Sequence, residues 1–232
     1  NPNWGWQSGK RRNARVRNYH EPIAVLNYTY DINDRSQLNV ATSVRFGENG
    51  YSALTWNAGT DPRPDYYRYL PSYSNGTTYG AWLDEAWRAN TDNIRHINWG
   101  QLYDINRNQE ENATYGPGHR SINMIEERHT DQLDWNFYTQ FSHTFRNNSR
   151  INGGVNLRRN RTEYYSEVKD LLGGDYWVDI DKFAERDMGG LNPIPYQNDM
   201  EYYEKYGHAR AAKKGDKYGY DYYGNVLNAR AW

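Results

Sequence analysis

The 28 basic and 29 acidic residues of this 232-residue chain nearly cancel, which removes the electrostatic case for a nucleic-acid partner. Aromatic residues make up 16%, as 23 Tyr and 9 Trp against 5 Phe. That ratio suits places where one end of a ring is apolar and the other wet, such as interfaces, sugar sites and membrane girdles. The absence of cysteine excludes disulfide scaffolds and thiolate metal sites. With no run of about 18 apolar residues, no transmembrane helix is expected.

Taken in chain order, residues 15–32 read as a long strand with Ala24, Leu26, Tyr28 and Tyr30 on one face. Pro22 cannot donate to a ladder and marks a bulge or the outer part of that strand. A turn at Asn33-Asp34-Arg35-Ser36 leads into a strand over 37–56, where Leu38, Val40, Val44 and Phe46 alternate with Asn39, Ala41, Ser43 and Arg45. A long loop over 57–119 carries the Pro-punctuated aromatic stretch Asp61-Pro62-Arg63-Pro64-Asp65-Tyr66-Tyr67-Arg68-Tyr69-Leu70-Pro71. Within it the spacing of Trp82, Leu83, Ala86 and Trp87 predicts a helix over 81–89.

The strand predicted over 120–145 shows the strictest alternation. Trp135, Phe137, Thr139, Phe141, His143 and Phe145 fall on one face, and Asn136, Tyr138, Gln140, Ser142 and Thr144 on the other. At ~3.3 Å per residue and a tilt near ~40°, the rise from Trp135 to Phe145 is roughly 25 Å, the height of a lipid-facing band. After a tip at Arg146–Ser149, a strand over 150–170 alternates Ile151, Gly153, Val155 and Leu157 with Asn152, Gly154, Asn156 and Arg158. A second loop, over 171–215, holds a short helix candidate at 200–206 behind the N-cap Asp199. Tyr218, Tyr220 and Tyr222 begin a last strand over 216–232.

Short turns alternating with long decorated loops are the asymmetry of outer-membrane barrels, with the tips at 33–36 and 146–149 toward the periplasm. The expected fold class is all-β: part of a large antiparallel transmembrane β-barrel with long extracellular loops containing short helices. Only one face per strand must then be apolar, which accounts for a mean hydropathy of -1.15. The expected lipid-facing residues are Leu38, Val40, Val44, Phe137, Phe141 and Val155. Five strands cannot close such a barrel, whose smallest form has about eight. Asn1 is not a natural start and no signal peptide is visible, so a longer chain is expected.

Chemical motifs are sparse. The histidines at 20, 96, 119, 129, 143 and 208 show no ligand spacing, and no cofactor fingerprint occurs. Gly50-Tyr51-Ser52-Ala53-Leu54 starts like a nucleophile elbow but lacks the closing glycine, so no enzyme is expected. Asp31, Asn33 and Asp34 are explained by turn chemistry, and Asp175, Asp179 and Asp181 are spaced too loosely for a metal site. The sequons at Asn27, Asn75, Asn112, Asn147 and Asn160 are close to chance in so Asn-rich a chain. Tyr66, Tyr67, Arg68, Tyr69, Trp82 and Trp87 carry two readings: stacking on a sugar or peptide ligand, or packing a long loop onto itself. Arg45, Arg158, Arg159 and Arg161 either pair with acidic groups across a lumen or line a solvated face.

Asn1-Pro2-Asn3-Trp4-Gly5-Trp6, Arg12-Asn13-Ala14-Arg15-Val16 and His20-Glu21-Pro22, with the 61–71 stretch and Lys214-Gly215-Asp216-Lys217-Tyr218-Gly219-Tyr220-Asp221-Tyr222-Tyr223, resemble TonB-dependent outer-membrane receptors of Bacteroidetes. The branch is the one with a carboxypeptidase-regulatory-like domain before the plug. The resemblance spans essentially the whole chain and a middle stretch of the family's barrel. It implies a plugged barrel of about 22 strands that imports a nutrient ligand across the outer membrane with energy passed on by TonB. Its implied partners are the TonB complex, reached through a plug segment upstream of these residues, outer-membrane lipids, and in some cases a surface lipoprotein. Some relatives are linked to protein export or surface assembly instead. Two other classes stay open on the residues alone: a soluble carbohydrate-binding or carbohydrate-active β-protein, and a structural or adhesion barrel.

Overall fold

The computed structural model describes residues 2–57, 59–91, 93–111, 117–179, 210–218 and 230–231. β-strands dominate. Chain order is β1 (Trp4–Gln7), β2 (Lys10–Asn13), β3 (Arg17–His20), β4 (Ile23–Asn33), β5 (Ser36–Trp56), α1 (Thr78–Arg88), α2 (Trp99–Arg107), β6 (Asn123–Thr144), β7 (Arg150–Asp170), β8 (Trp177–Asp179), β9 (Arg210–Ala212), β10 (Lys217–Tyr218) and β11 (Arg230–Ala231). The chain divides into two compact units, and β5, β6 and β7 are long enough to contribute to both. Strand pairing runs β10-β7-β6-β5-β3, with β4 also on β5 and β11 also on β7. Among the described residues the sheet does not close into a barrel.

One unit comprises Asn18–Gly50 and His129–Tyr164, with β11. The β4–β5 hairpin turns on Asp34 and Arg35, with Asn33 opposite Ser36 and a register shift between Asp31 and Asn33. The Asn33 side chain accepts from the Arg35 N–H, which satisfies a turn donor locally. At the other tip Asn148 takes a φ of 64°, Phe145 N–H donates to the Ser149 carbonyl, and the Asn147 side chain accepts from Ser149 N–H. The strand expected over 15–32 is broken at Glu21-Pro22 into β3 and β4. Gly47 makes that break possible. A Cβ there would sit 2.0 Å from the His20 carbonyl oxygen, so only glycine lets the two backbones approach.

The second unit comprises Asn1–Arg17, Tyr51–Arg128 and Tyr165–Asn228. It opens on a hairpin that the sequence reading missed, β1–β2, turning on Ser8 and Gly9 at φ 50° and 75°. Ala14, Ile97, Trp99, Leu102, Ile125 and Leu172 form its main core, and Met124, Val168, Leu171, Trp177 and Ala212 a second cluster. The helix expected over 81–89 starts earlier, at Thr78, because the Thr77 hydroxyl caps it by accepting from Gly80 N–H at 2.9 Å. The loop expected over 57–119 also holds α2, capped by the Asn98 side chain on Gln101 N–H.

Asn106 on α2 fastens this unit. It is fully buried, and its amide donates to the carbonyls of Asn123, Leu171 and Leu172 at 2.7, 2.8 and 3.1 Å. Its carbonyl oxygen accepts from the N–H groups of Ile122 and Asn123. The strand expected from residue 120 begins at Asn123, and the loop expected over 171–215 contributes β8 and β9, which pair with each other. The predicted helix at 200–206, and most of the predicted last strand, lie outside the described residues.

Candidate functional site

In the first unit, register settles which side chains share a face. Tyr30 lies opposite Leu38, Tyr28 opposite Val40, Leu26 opposite Thr42 and Ala24 opposite Val44. The stacks of Trp135 on Phe137 and of Phe141 on His143, and the edge-to-face contact of His143 with Phe145 just past the strand's end, follow the two-residue period of β6. Ser36 hydrogen-bonds His143 Nδ1 at 2.8 Å, which puts the even side chains of β5 and the odd ones of β6 on the same side. The odd residues Ile151, Val155 and Leu157 of β7 continue it, since the even residue Arg158 pairs on the opposite side. All six residues expected to face lipid therefore share this face.

The face is bare. Leu26 is 67% exposed, Tyr28 58%, Ile151 55%, Val155 53%, Leu157 51%, Phe145 48% and Phe141 42%. Leu38, Val40, Val44 and Phe137 are partly covered by their neighbours on the strands. Scattered apolar residues on a surface are ordinary, but a contiguous patch of this extent marks contact with another apolar phase.

The opposite face carries a paired polar network, although Ile23, Val25 and Tyr138 are exposed on it. Arg158 reaches Asp134 through Nε and Nη2 at 3.0 and 2.9 Å, while Arg45 lies 3.5 Å from the same carboxylate and donates to Gln132. Arg161, an odd residue of β7 and so on the other side, pairs with Glu163. Thr29, Asn39, Gln37 and Asp31 extend the network along β4 and β5. Of the four arginines singled out from sequence, three thus pair with acidic groups.

In the second unit the aromatic loop splits by role. Tyr66 meets Tyr67 and Tyr69 edge to face at 4.8 and 5.4 Å, and Tyr67 meets Tyr73 likewise at 5.4 Å, so these rings pack the loop on itself. Arg68 lies over Tyr67 and donates from Nε to its hydroxyl at 2.9 Å. That bond lowers the Tyr67 hydroxyl below its ordinary pKa, whereas partial burial and the bond to Tyr67 push Tyr66 up. Trp82 stands apart from them, stacked on Tyr79 at 5.7 Å and 51% exposed. Trp87 is separate again, under the Arg95 guanidinium.

A cleft of about 450 Å³ lies beside these rings, which sequence reasoning did not foresee. Its walls come from the 59–64 loop, Tyr69, Tyr79, the 93–98 segment and α2. Leu83, Leu102, Ile105 and Ile122 supply an aliphatic floor. Asp61 is its one carboxylate among the described residues, and Arg63 engages both of its oxygens, at 2.9 Å from Nε and 2.5 Å from Nη2. His96, also in the wall, stacks on Trp4 at 3.9 Å. The signals that could have found the cleft were the Asn98 cap and the Trp99, Leu102, Asn106 spacing that make α2.

Ser52 is structural. It is 1% exposed, donates to the Ala14 carbonyl and accepts from Val16 N–H. Among the described residues no group of three or more His, Asp or Glu side chains is placed to hold a metal, and no helix is long and apolar enough to cross a membrane.

No family model, curated protein or solved structure matches this chain.

Proposed function

We propose that this chain is part of the barrel of a TonB-dependent outer-membrane receptor, a transporter that takes up a nutrient ligand across the outer membrane. The bare apolar face of β4–β7 carries the reading. A soluble β-protein of the same sequence would need a second layer over Leu26, Tyr28, Phe141, Val155 and Leu157, and these side chains stand open. Leaving so much apolar surface in water costs about 25 cal/mol per Å², and lipid removes that cost. The paired polar network around Asp134 fits the wet side of such a wall, where strands alternate apolar-out and polar-in. Short connections at Asp34-Arg35 and 145–149, against the long one between β5 and β6, support the same architecture.

Cysteine accessibility tests this directly, because the chain contains no native cysteine. Single variants Phe141→Cys and Val155→Cys are expected to resist a membrane-impermeant maleimide in native outer membranes, and to be quenched by lipid-borne spin labels once fluorescently tagged. Gln140→Cys and Asn156→Cys, one residue away on the other face, are expected to escape that quenching. Equal labelling of both sets from water, or recovery of the protein without detergent, overturns the reading. Ligand uptake that stops when TonB is removed would then separate transport from a purely structural barrel.

A further inference from the structure

We infer that Arg159 holds the phosphate of an anionic lipid headgroup at the rim of the apolar band. The inference rests on the receptor reading, which puts lipid against this face, and goes beyond it by naming the lipid group and the residue that binds it. Side comes first. Arg158 and Asn160 both bond Asp134, and Thr162 bonds Asn160, so the alternation of β7 runs unbroken from 158 to 162 on the polar side. Arg159, between them, therefore projects from the apolar side, two residues beyond Leu157.

Height comes second. Ten residues separate Arg159 from Ser149 at the tip, a rise of roughly 25 Å at ~3.3 Å per residue and a tilt near ~40°. That is the full height of a lipid-facing band, so the guanidinium lies where hydrocarbon gives way to headgroups. The partner strand agrees. Gly154 lies against the backbone of Thr139 and Gln140, and counting five residues from Gly154 and Gln140 along the two strands sets Arg159 level with Trp135. Trp135 is 40% exposed on the same face, and an indole at this level belongs to the aromatic belt of a membrane boundary.

Charge decides the ligand. Arg159 is exposed and, among the described residues, has no acidic partner, whereas Arg45, Arg158 and Arg161 each have one. The carboxylates next along this face are engaged: Glu163 with Arg161, and Asp131 with the Asn49 N–H and beside His129. A cation at the edge of hydrocarbon is stabilised there by an opposite charge, and the planar guanidinium fork matches two phosphate oxygens. A zwitterionic headgroup carries its own ammonium beside the phosphate, so it offers this arginine less net charge than an anionic one.

The test uses the full-length protein with Leu157→Cys carrying a fluorophore, reconstituted in phosphatidylcholine vesicles. One set contains acyl-brominated phosphatidic acid, and the other acyl-brominated phosphatidylcholine at the same mole fraction. Quenching is expected to report about fivefold tighter association of the phosphatidic acid, the factor that one arginine at a charged membrane surface implies. Arg159→Gln, a change at an exposed site that is expected to leave the fold intact, should abolish the preference, and Arg159→Lys should retain part of it. The preference is also expected to persist when inorganic phosphate is added at constant ionic strength. Equal quenching by the two lipids, a preference that survives Arg159→Gln, or one that inorganic phosphate removes each overturns the inference and leaves the receptor reading standing. Quenching by neither lipid overturns both.

Discussion

At the start of β6 five consecutive residues, Asn123–Glu127, are buried, yet further along the same strand Leu133, Trp135 and Phe141 are 40–46% exposed. β7 reverses the order: its residues 150–160 are exposed throughout and Val168 is wholly buried. The two units thus draw on the same strands and treat them oppositely. In one, helices and loops bring a core, held by Asn106 and Trp99, down onto the strands. In the other, nothing among the described residues covers an apolar face as regular as any in the chain. Alternation fixes which side chains share a face, and the neighbouring phase decides whether that face is a core.

The sharpest way to break this contrast is Asn106→Leu. The substitution removes the side-chain partner of two N–H groups and of the Asn123 and Leu172 carbonyls in a dry interior, while Leu171 keeps Ser121 and Gly174, and is expected to cost about 3 kcal/mol or more. Limited proteolysis within 59–111 should rise steeply, while the labelling pattern of Val155→Cys stays as it was. A change in both, or in neither, would show that the units do not differ as described.

Val155→Arg probes the other side. On a lipid-facing strand a midplane arginine costs about 2–4 kcal/mol, whereas at a water-exposed site 53% open the change stays within about 0.5 kcal/mol. Urea unfolding in lipid vesicles distinguishes the two, and a near-zero effect would remove lipid from the account.

The smallest expected effect concerns Tyr67. Its hydroxyl pKa is lowered first by the hydrogen bond from Arg68. A lowered acid stabilises the fold above its unfolded pKa and loses that contribution as pH falls through the folded value. Arg68→Ala should therefore return the Tyr67 titration upward, followed by tyrosinate absorbance, and leave stability at neutral pH unchanged. Lost stability at neutral pH would mean that Arg68 holds the ring cluster by packing over Tyr67 instead.

Much of this was legible in the residues. The period-two runs at 37–46 and 151–157 are strands, as is the one from 135 up to Thr144, one residue short of the expected end, with the expected side chains sharing one face, and Leu83 and Ala86 mark the buried side of α1. Pro22 broke the first long strand as its missing N–H requires. What stayed hidden depended on distant partners or on polar residues in apolar roles. α2 escaped because a buried position of its inner face is Asn106, which interrupts the hydrophobic period while filling it physically. β1–β2 escaped because its strands are four residues each and lack alternation, although Ser8-Gly9 is a hairpin signal. The cleft joins segments from residue 59 to residue 123, a juxtaposition that no local pattern encodes.

The five bonds of Asn106 also set an order of events during folding. Two of its acceptors, Leu171 and Leu172, lie 65 and 66 residues further along the chain. Helix α2 can form its own turns early, within its own stretch of chain. The Asn106 amide near its end completes its set of partners only after a long loop has closed and the end of β7 has arrived. Consolidation of this unit is therefore paced by the slowest of its distant encounters, and a chain stalled before residue 171 would hold a helix whose amide reaches Ile122 and Asn123 but lacks its partners at the end of β7.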